Sequence, residues 1–205
     1  MKLIYRGGYN ASNAENSLFY EYANAIKRYI KNGKNVVYVT LAKPDHHYDR
    51  RMIESLGELP NIIDNSCENN VDWSAFDLIV IPGGDTETLK ESLVKYRFSL
   101  NKLKKDVTVI GDSAGAYVLS KYFLKKKEKE DGTLEYFLAE GLNPESNLLT
   151  VAHIDNEKHV TKEKLIKAQE AVQKIGVTLL LLKENEAVLF DDGVRKEFQI
   201  DKLLA

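Results

Sequence analysis

"TVIGDSAGAYVLS", residues 108–120, runs from an apolar stretch straight into Gly111-Asp112-Ser113-Ala114-Gly115. A serine between two glycines, where a buried strand gives way to a helix, has two physical readings. In one, Ser113 stands on a sharp strand-to-helix turn with its hydroxyl presented as a nucleophile. In the other, it is a helix N-cap whose oxygen accepts a first-turn amide. The two separate on whether the chain also supplies a base and amide donors around the same turn.

Outward from that turn, the chain alternates strand and helix patterns. "KLIYR" (2–6) is a short apolar run ended by Gly7-Gly8, and "NVVYVTLA" (35–42) and "FDLIVIPGGD" (76–85) are near-continuous apolar runs. Such runs mark strands buried on both faces. Ser12-Asn13-Ala14-Glu15 has capping-box spacing, followed by Leu18, Phe19, Tyr22, Ile26, Tyr29 and Ile30 at helical intervals and a stop at Gly33. A weaker helix is predicted over 48–57. Leu89, Leu93, Tyr96, Leu100 and Leu103 predict another, and "AGAYVLSKYF" (114–123) reads as helical. "NLLTVAHID" (147–155) predicts a strand, Leu165 to Ile175 a helix closed by Gly176, and residues 177–200 a strand and then a hairpin turning at Asp192-Gly193. The expectation is one α/β domain over residues 1–205, with a mostly parallel sheet, helices on both faces and a C-terminal hairpin.

Composition narrows the function. A formal net charge of −2 gives no field that would favour nucleic acid or an anionic membrane. "KKKEKE" (125–130) mixes signs and reads as a solvated edge. With one cysteine, Cys67, no internal disulfide can form. No apolar run approaches the ~18–20 residues that span a bilayer, and the N-terminal apolar run is too short for a signal-peptide core. A cytoplasmic protein without membrane or nucleic-acid partners is expected, and a homodimer is left open.

Serine needs a base, and four histidines are available: His46, His47, His153 and His159. His153 ends the strand "LLTVAHID" and could face the same sheet rim as Ser113. His46 and His47 are adjacent, with no spacing partner for zinc, so no metal site is expected. His159 opens a helix and is expected to be exposed. In an open parallel sheet, ligands bind beyond the carboxyl ends of the strands. There the amides of Gly84 and Ala114 could both face Ser113 as an oxyanion hole, worth roughly 3–4 kcal/mol per donor. An α/β-hydrolase order fits poorly, because those enzymes place the histidine far downstream of the serine.

Taken together, "IPGGDTETL" (81–89), "GDSAGA" (111–116) and "VAHID" (151–155) resemble the dipeptidase E family of serine peptidases, relatives of the cyanophycinases. The resemblance implies a class I glutamine amidotransferase-like, flavodoxin-like three-layer sandwich. It also implies a Ser-His-acid triad that hydrolyses short peptides through an acyl-enzyme, without cofactor or metal. Carried over, Ser113 is the nucleophile, His153 the base, and Gly84 and Ala114 the oxyanion hole. The family's acid follows the serine on the next strand, which points to Glu128, or else Glu130, with Asp131 in the same window. Asp112 is expected to face away from the hydroxyl. Two departures stand out: the family has a proline before the histidine and an aromatic after it, where this chain has Ala152 and Ile154. Arg6, Lys158 and Arg195 are candidates to clamp a substrate carboxylate. An amidase or cyanophycinase-like activity on another amide, and a silent binding module of the same fold, are the alternatives.

Overall fold

The computed structural model describes residues 1–8, 17–42, 47–57, 61–67, 70–184 and 186–196. Its elements follow the chain as β1 (Lys2–Arg6), α1 (Ser17–Lys31), β2 (Val36–Val39), α2 (His47–Leu56), β3 (Asn61–Ile63), β4 (Leu78–Ile81), α3 (Thr86–Lys95) and β5 (Thr108–Asp112). Then come α4 (Ala114–Val118), β6 (Tyr122–Glu128), β7 (Leu134–Glu140), β8 (Leu148–Val151), α5 (Lys162–Ile175), β9 (Thr178–Leu181), β10 (Ala187–Asp191) and β11 (Val194–Lys196).

The strands form a seven-stranded sheet ordered β11-β10-β1-β5-β4-β2-β3 and a four-stranded sheet ordered β7-β6-β8-β9. In the large sheet, β1, β5, β4, β2 and β3 are parallel. The hairpin of β10 and β11 closes one edge in antiparallel pairing, as the Asp192-Gly193 turn predicts. The mostly parallel α/β architecture is therefore present, with a second small sheet that the hydrophobic pattern does not announce. In that sheet β8 runs parallel to β6 and β9, and β6 and β7 form a long hairpin.

Alternation along β4 shows why the central strands are apolar throughout. Leu78 and Val80 pack with Phe19, Tyr22 and Ile26 of α1. Ile79 and Ile81 face the opposite layer, with Leu89 and Leu93 of α3 and Ala114 and Val118 of α4. All four β4 side chains are buried, so neither face could accept a polar residue without an unpaired group. A third apolar cluster joins Leu149 and Val151 of β8 to Ala168 of α5.

Two expectations shift. The helix predicted over 114–123 stops at Val118, and Tyr122 already pairs with β8. The helix predicted through Leu103 ends at Lys95, capped by Tyr96, whose backbone turns out of helical geometry. The capping box at 12–15 lies outside the described residues. Among the described residues, no helix is long and apolar enough to cross a membrane.

Ile79 is fully buried at the centre of the sheet. Its replacement by alanine is expected to lower stability by about 2–5 kcal/mol. A urea unfolding midpoint within error of the parent's would contradict this account of the core.

Candidate active site

β5 delivers the backbone to Ser113 in an uncommon state, φ 54° and ψ −106°. A non-glycine residue there stores about 1–3 kcal/mol of strain. The turn is tight because of Gly115: a Cβ at that position would run into the carbonyl oxygen of Ile81 on β4. The Ser113 amide donates to the Arg6 carbonyl at 3.0 Å, pinning the turn to β1. Although Ser113 precedes α4, its hydroxyl makes no cap hydrogen bond to the helix. It meets His153 instead, with Oγ 2.8 Å from Nε2. The N-cap reading therefore fails.

His153 follows β8 by two positions, and its backbone also sits at positive φ, 59°. Its amide donates to the Gly7 carbonyl at 3.1 Å. The imidazole lies against Gly8, itself at φ 94°, where a Cβ would collide with the ring. The Gly7-Gly8 pair after β1 thus leaves room for the histidine. The ring is buried, and its Nδ1 lies 2.9 Å from Oε1 of Glu184. That carboxylate oxygen also accepts from Asn156 Nδ2 at 2.7 Å, while the Glu184 amide donates to Asp155 Oδ1 at 2.8 Å.

Glu184 is therefore the carboxylate at the imidazole, which corrects the expectation for Glu128 or Glu130. Glu128 ends β6, and Glu130 and Asp131 lie in the turn beyond it; all three are exposed. Asp131 is occupied locally, accepting from the amide and hydroxyl of Thr133, and these bonds hold its carboxyl below the usual range. Glu184 comes from the link between β9 and β10. The antiparallel pairing of β10 with β1, and the bond from the Gly7 amide to the Glu186 carbonyl, bring that link beside Gly7 and His153.

Asp112 does face away from the hydroxyl. It is buried in an ion pair with Arg6, Nη1 to Oδ2 3.2 Å, and the guanidinium lies 4.0 Å from the Tyr22 ring centroid. This buried pair anchors β5 to β1 directly under the turn, and it removes Arg6 as a clamp for a substrate. Arg195 lines a separate cavity with Met1, Leu3 and Phe190, so it too is not at this site.

The cavity over Ser113 has a volume of about 530 Å3, with Gly84, Tyr117, Phe123, Lys126, His159 and Lys164 among its walls. Ala114 opens α4, so its amide belongs to the first-turn donors that have no intrahelical acceptor. Gly84 lines the same cavity at φ 148°. The two expected oxyanion donors thus border one space with Ser113 and His153.

Two wall residues carry signals that sequence reasoning missed. Lys164 on α5 is buried, its amine 3.4 Å from the Tyr117 hydroxyl and 5.3 Å from that ring's centroid. Burial pulls its pKa below the ordinary lysine value, and the nearby Lys126 charge adds to the shift. His159 is exposed, as expected, yet stacks on His153 with ring centroids 4.5 Å apart. Desolvation, then the His153 charge, lowers its pKa. Tyr117 ties these walls to the segment that carries His153: its hydroxyl accepts from the Ala152 amide at 3.2 Å, and burial pushes its pKa up to about 12. A proline at 152 could not make that bond, so the departure at Ala152 has a structural counterpart.

Oxygen, imidazole and carboxylate stand in hydrogen-bonded series beside the cavity, an arrangement that can activate a hydroxyl. Glu184→Gln is expected to slow labelling of Ser113 by a fluorophosphonate by roughly 10³–10⁴-fold, as when a triad acid loses its charge. Glu128→Gln should label at the parent rate. The reverse ranking would return the acid to β6.

The sequence model of peptidase family S51 matches residues 9–197 of the chain. Among solved structures, the chain is similar to a peptidase from an acI-B1 Actinobacterium, at 17% identity and a TM-score of 0.57. That match covers 92% of this chain and 82% of the other, and at this identity it speaks to the fold alone. No curated protein sequence matches the chain.

Proposed function

Because the chain belongs to peptidase family S51, we propose that it is a serine exopeptidase of the dipeptidase E type, acting on short peptides through Ser113, His153 and Glu184. The observation that carries the reading is the 2.8 Å approach of His153 Nε2 to Ser113 Oγ, on a turn where the serine has no capping role.

In this reading Ser113 Oγ attacks the scissile carbonyl carbon while His153 Nε2 takes its proton. Nδ1–H donates to Glu184, which fixes the productive tautomer and stabilises the imidazolium. The amides of Gly84 and Ala114 receive the oxyanion. The imidazolium then returns its proton to the leaving amine, and the C–N bond breaks to leave an ester on Ser113. Water adds to that ester with His153 again as base. The second product departs as an acid, and the hydroxyl is restored. None of these steps calls on a cofactor.

A cavity of about 530 Å3 suits a ligand of a few residues. Its charge is cationic at the inner wall: Lys164 is buried there, and Lys126 stands nearby. Lys125 is neutralised by Glu87 at 2.6 Å. A substrate carboxylate would complement Lys164, which places short acidic peptides first among the substrates.

Ser113→Ala should reduce cleavage of a dipeptide panel by roughly 10⁵–10⁶-fold. Turnover at the parent rate would end the proposal. The panel should pair aspartyl and glutamyl dipeptides with leucyl and lysyl ones, and include isopeptides and small amides. Cleavage confined to the last two classes would favour an amidase.

Lys164→Met is expected to raise KM for the acidic members and spare the neutral ones. The amine binds an anion only while protonated, and its pKa is lowered. KM for acidic peptides should therefore climb with pH before the ordinary lysine range is reached. A flat KM across that range would remove Lys164 from substrate binding.

A further inference from the structure

The segment after β8 turns back on itself. Asn156 N–H donates to the His153 carbonyl at 3.0 Å, and His159 N–H to the Asn156 carbonyl at 2.9 Å. This double turn brings His159 over His153, and both beside Glu184. Ligand atoms of the three side chains lie within 4.8 Å of one another.

Two imidazoles and a carboxylate are a donor set for a borderline-soft divalent cation with a fourth position open. We propose that His159, Glu184 and Nδ1 of His153 form an inhibitory site for a d-block cation of the Zn²⁺ type, which silences the nucleophile by changing the tautomer of its base. The inhibitory half of this proposal rests on the peptidase reading above; the binding half does not.

Ligands of a tetrahedral zinc ion, bound at ~2.0–2.1 Å, stand roughly 3.3 Å apart, so the cluster must close by about 1.5 Å. His159 can supply that movement, because its side chain is exposed while His153 is buried. Glu184 is steadied by Asn156 through Oε1. The carboxylate of Asp155, 2.8 Å from the Glu184 amide, adds negative charge beside the cluster. Lys126 and Lys164, on the cavity wall, oppose a cation and make the site weaker than a structural zinc site.

In the productive tautomer the imidazole proton is on Nδ1, shared with Glu184, and Nε2 is free to accept from Ser113. A cation on Nδ1 takes that lone pair, so the single proton of the neutral ring moves to Nε2. Nε2–H then donates to Ser113 Oγ and cannot receive its proton. No proton leaves the protein, and Ser113 is not a ligand.

The test uses the full chain with His46 and His47 both changed to Asn, leaving only the two histidines of the site. Zn²⁺ titrated calorimetrically is expected to bind at one per chain, and Co²⁺ to give the intense visible bands of tetrahedral ligation. Ser113→Ala should bind Zn²⁺ as well as the parent does. His159→Asn, which removes a ligand, should bind it at least roughly tenfold more weakly, since the loss of even an outer partner costs about 10–100-fold. Zn²⁺ should slow fluorophosphonate labelling of Ser113, and a chelator should restore it. No binding, binding that His159→Asn leaves unchanged, or labelling indifferent to bound Zn²⁺ would each overturn the site. Zn²⁺ binding that depends on His159, in a chain that never labels even without metal, would uphold the cation site and overturn the peptidase reading.

Discussion

The backbone at Ser113 is held at φ 54° and ψ −106°, and the surrounding structure is arranged to keep it there. Strain of this kind persists only where its neighbours over-determine it. Here β5 is clamped between β1 and β4 with every side chain buried. Gly115 allows the turn to touch the Ile81 carbonyl, and the serine amide is tied to Arg6. Beneath it, the buried Arg6–Asp112 pair joins the same two strands. Removing one partner of such a pair would leave a buried charge uncompensated, at a cost of about 3–5 kcal/mol. The hydroxyl is thereby aimed by the fold and not by its own rotamer preference alone.

His153 is positioned by a second constraint of the same kind. His153 also sits at positive φ, packs against a glycine that no other residue could replace without displacing the ring, and takes its carboxylate from a third part of the chain. Ser113 follows a strand of the large sheet, while His153 and Glu184 follow strands of the small one. The two sheets meet where Gly7, at the end of β1, accepts from His153 and donates to Glu186. That junction is what converts two separate strand ends into one site.

Local motifs were legible because their physics is local. "GDSAGA" states its turn through glycines that tolerate close approach, and "VAHID" places a histidine at a strand end whatever the rest does. The continuous apolar runs of β2 and β4 likewise declare strands covered on both sides. Glu184 was not legible. "LLKENEAV" reads as a charged connection between two strands, and only the register of β10 on β1 returns it to the histidine. Glu128 and Glu130 fitted the spacing of the resemblance, but the β6–β7 hairpin carries them into solvent. Lys164 looks like any lysine on an amphipathic helix; its burial depends on the neighbouring sheet. The short α4 was over-read because "AGAYVLSKYF" has helical composition, whereas pairing of Tyr122 and Phe123 with β8 overrides that propensity.

The cavity gathers the consequences. The strained serine, the buried imidazole and the cationic wall of Lys126 and Lys164 all border one volume. The hydrogen bond from Nδ1 of His153 to Glu184 is the link on which the proposed chemistry turns, since in that reading it leaves Nε2 free to serve as base. Low-temperature proton NMR measures that link directly. The account predicts a resonance far downfield of the amides, assigned to His153 Nδ1–H, that disappears in Glu184→Gln and survives in Glu128→Gln. A signal untouched by the change at Glu184, or one removed by the change at Glu128, would contradict it.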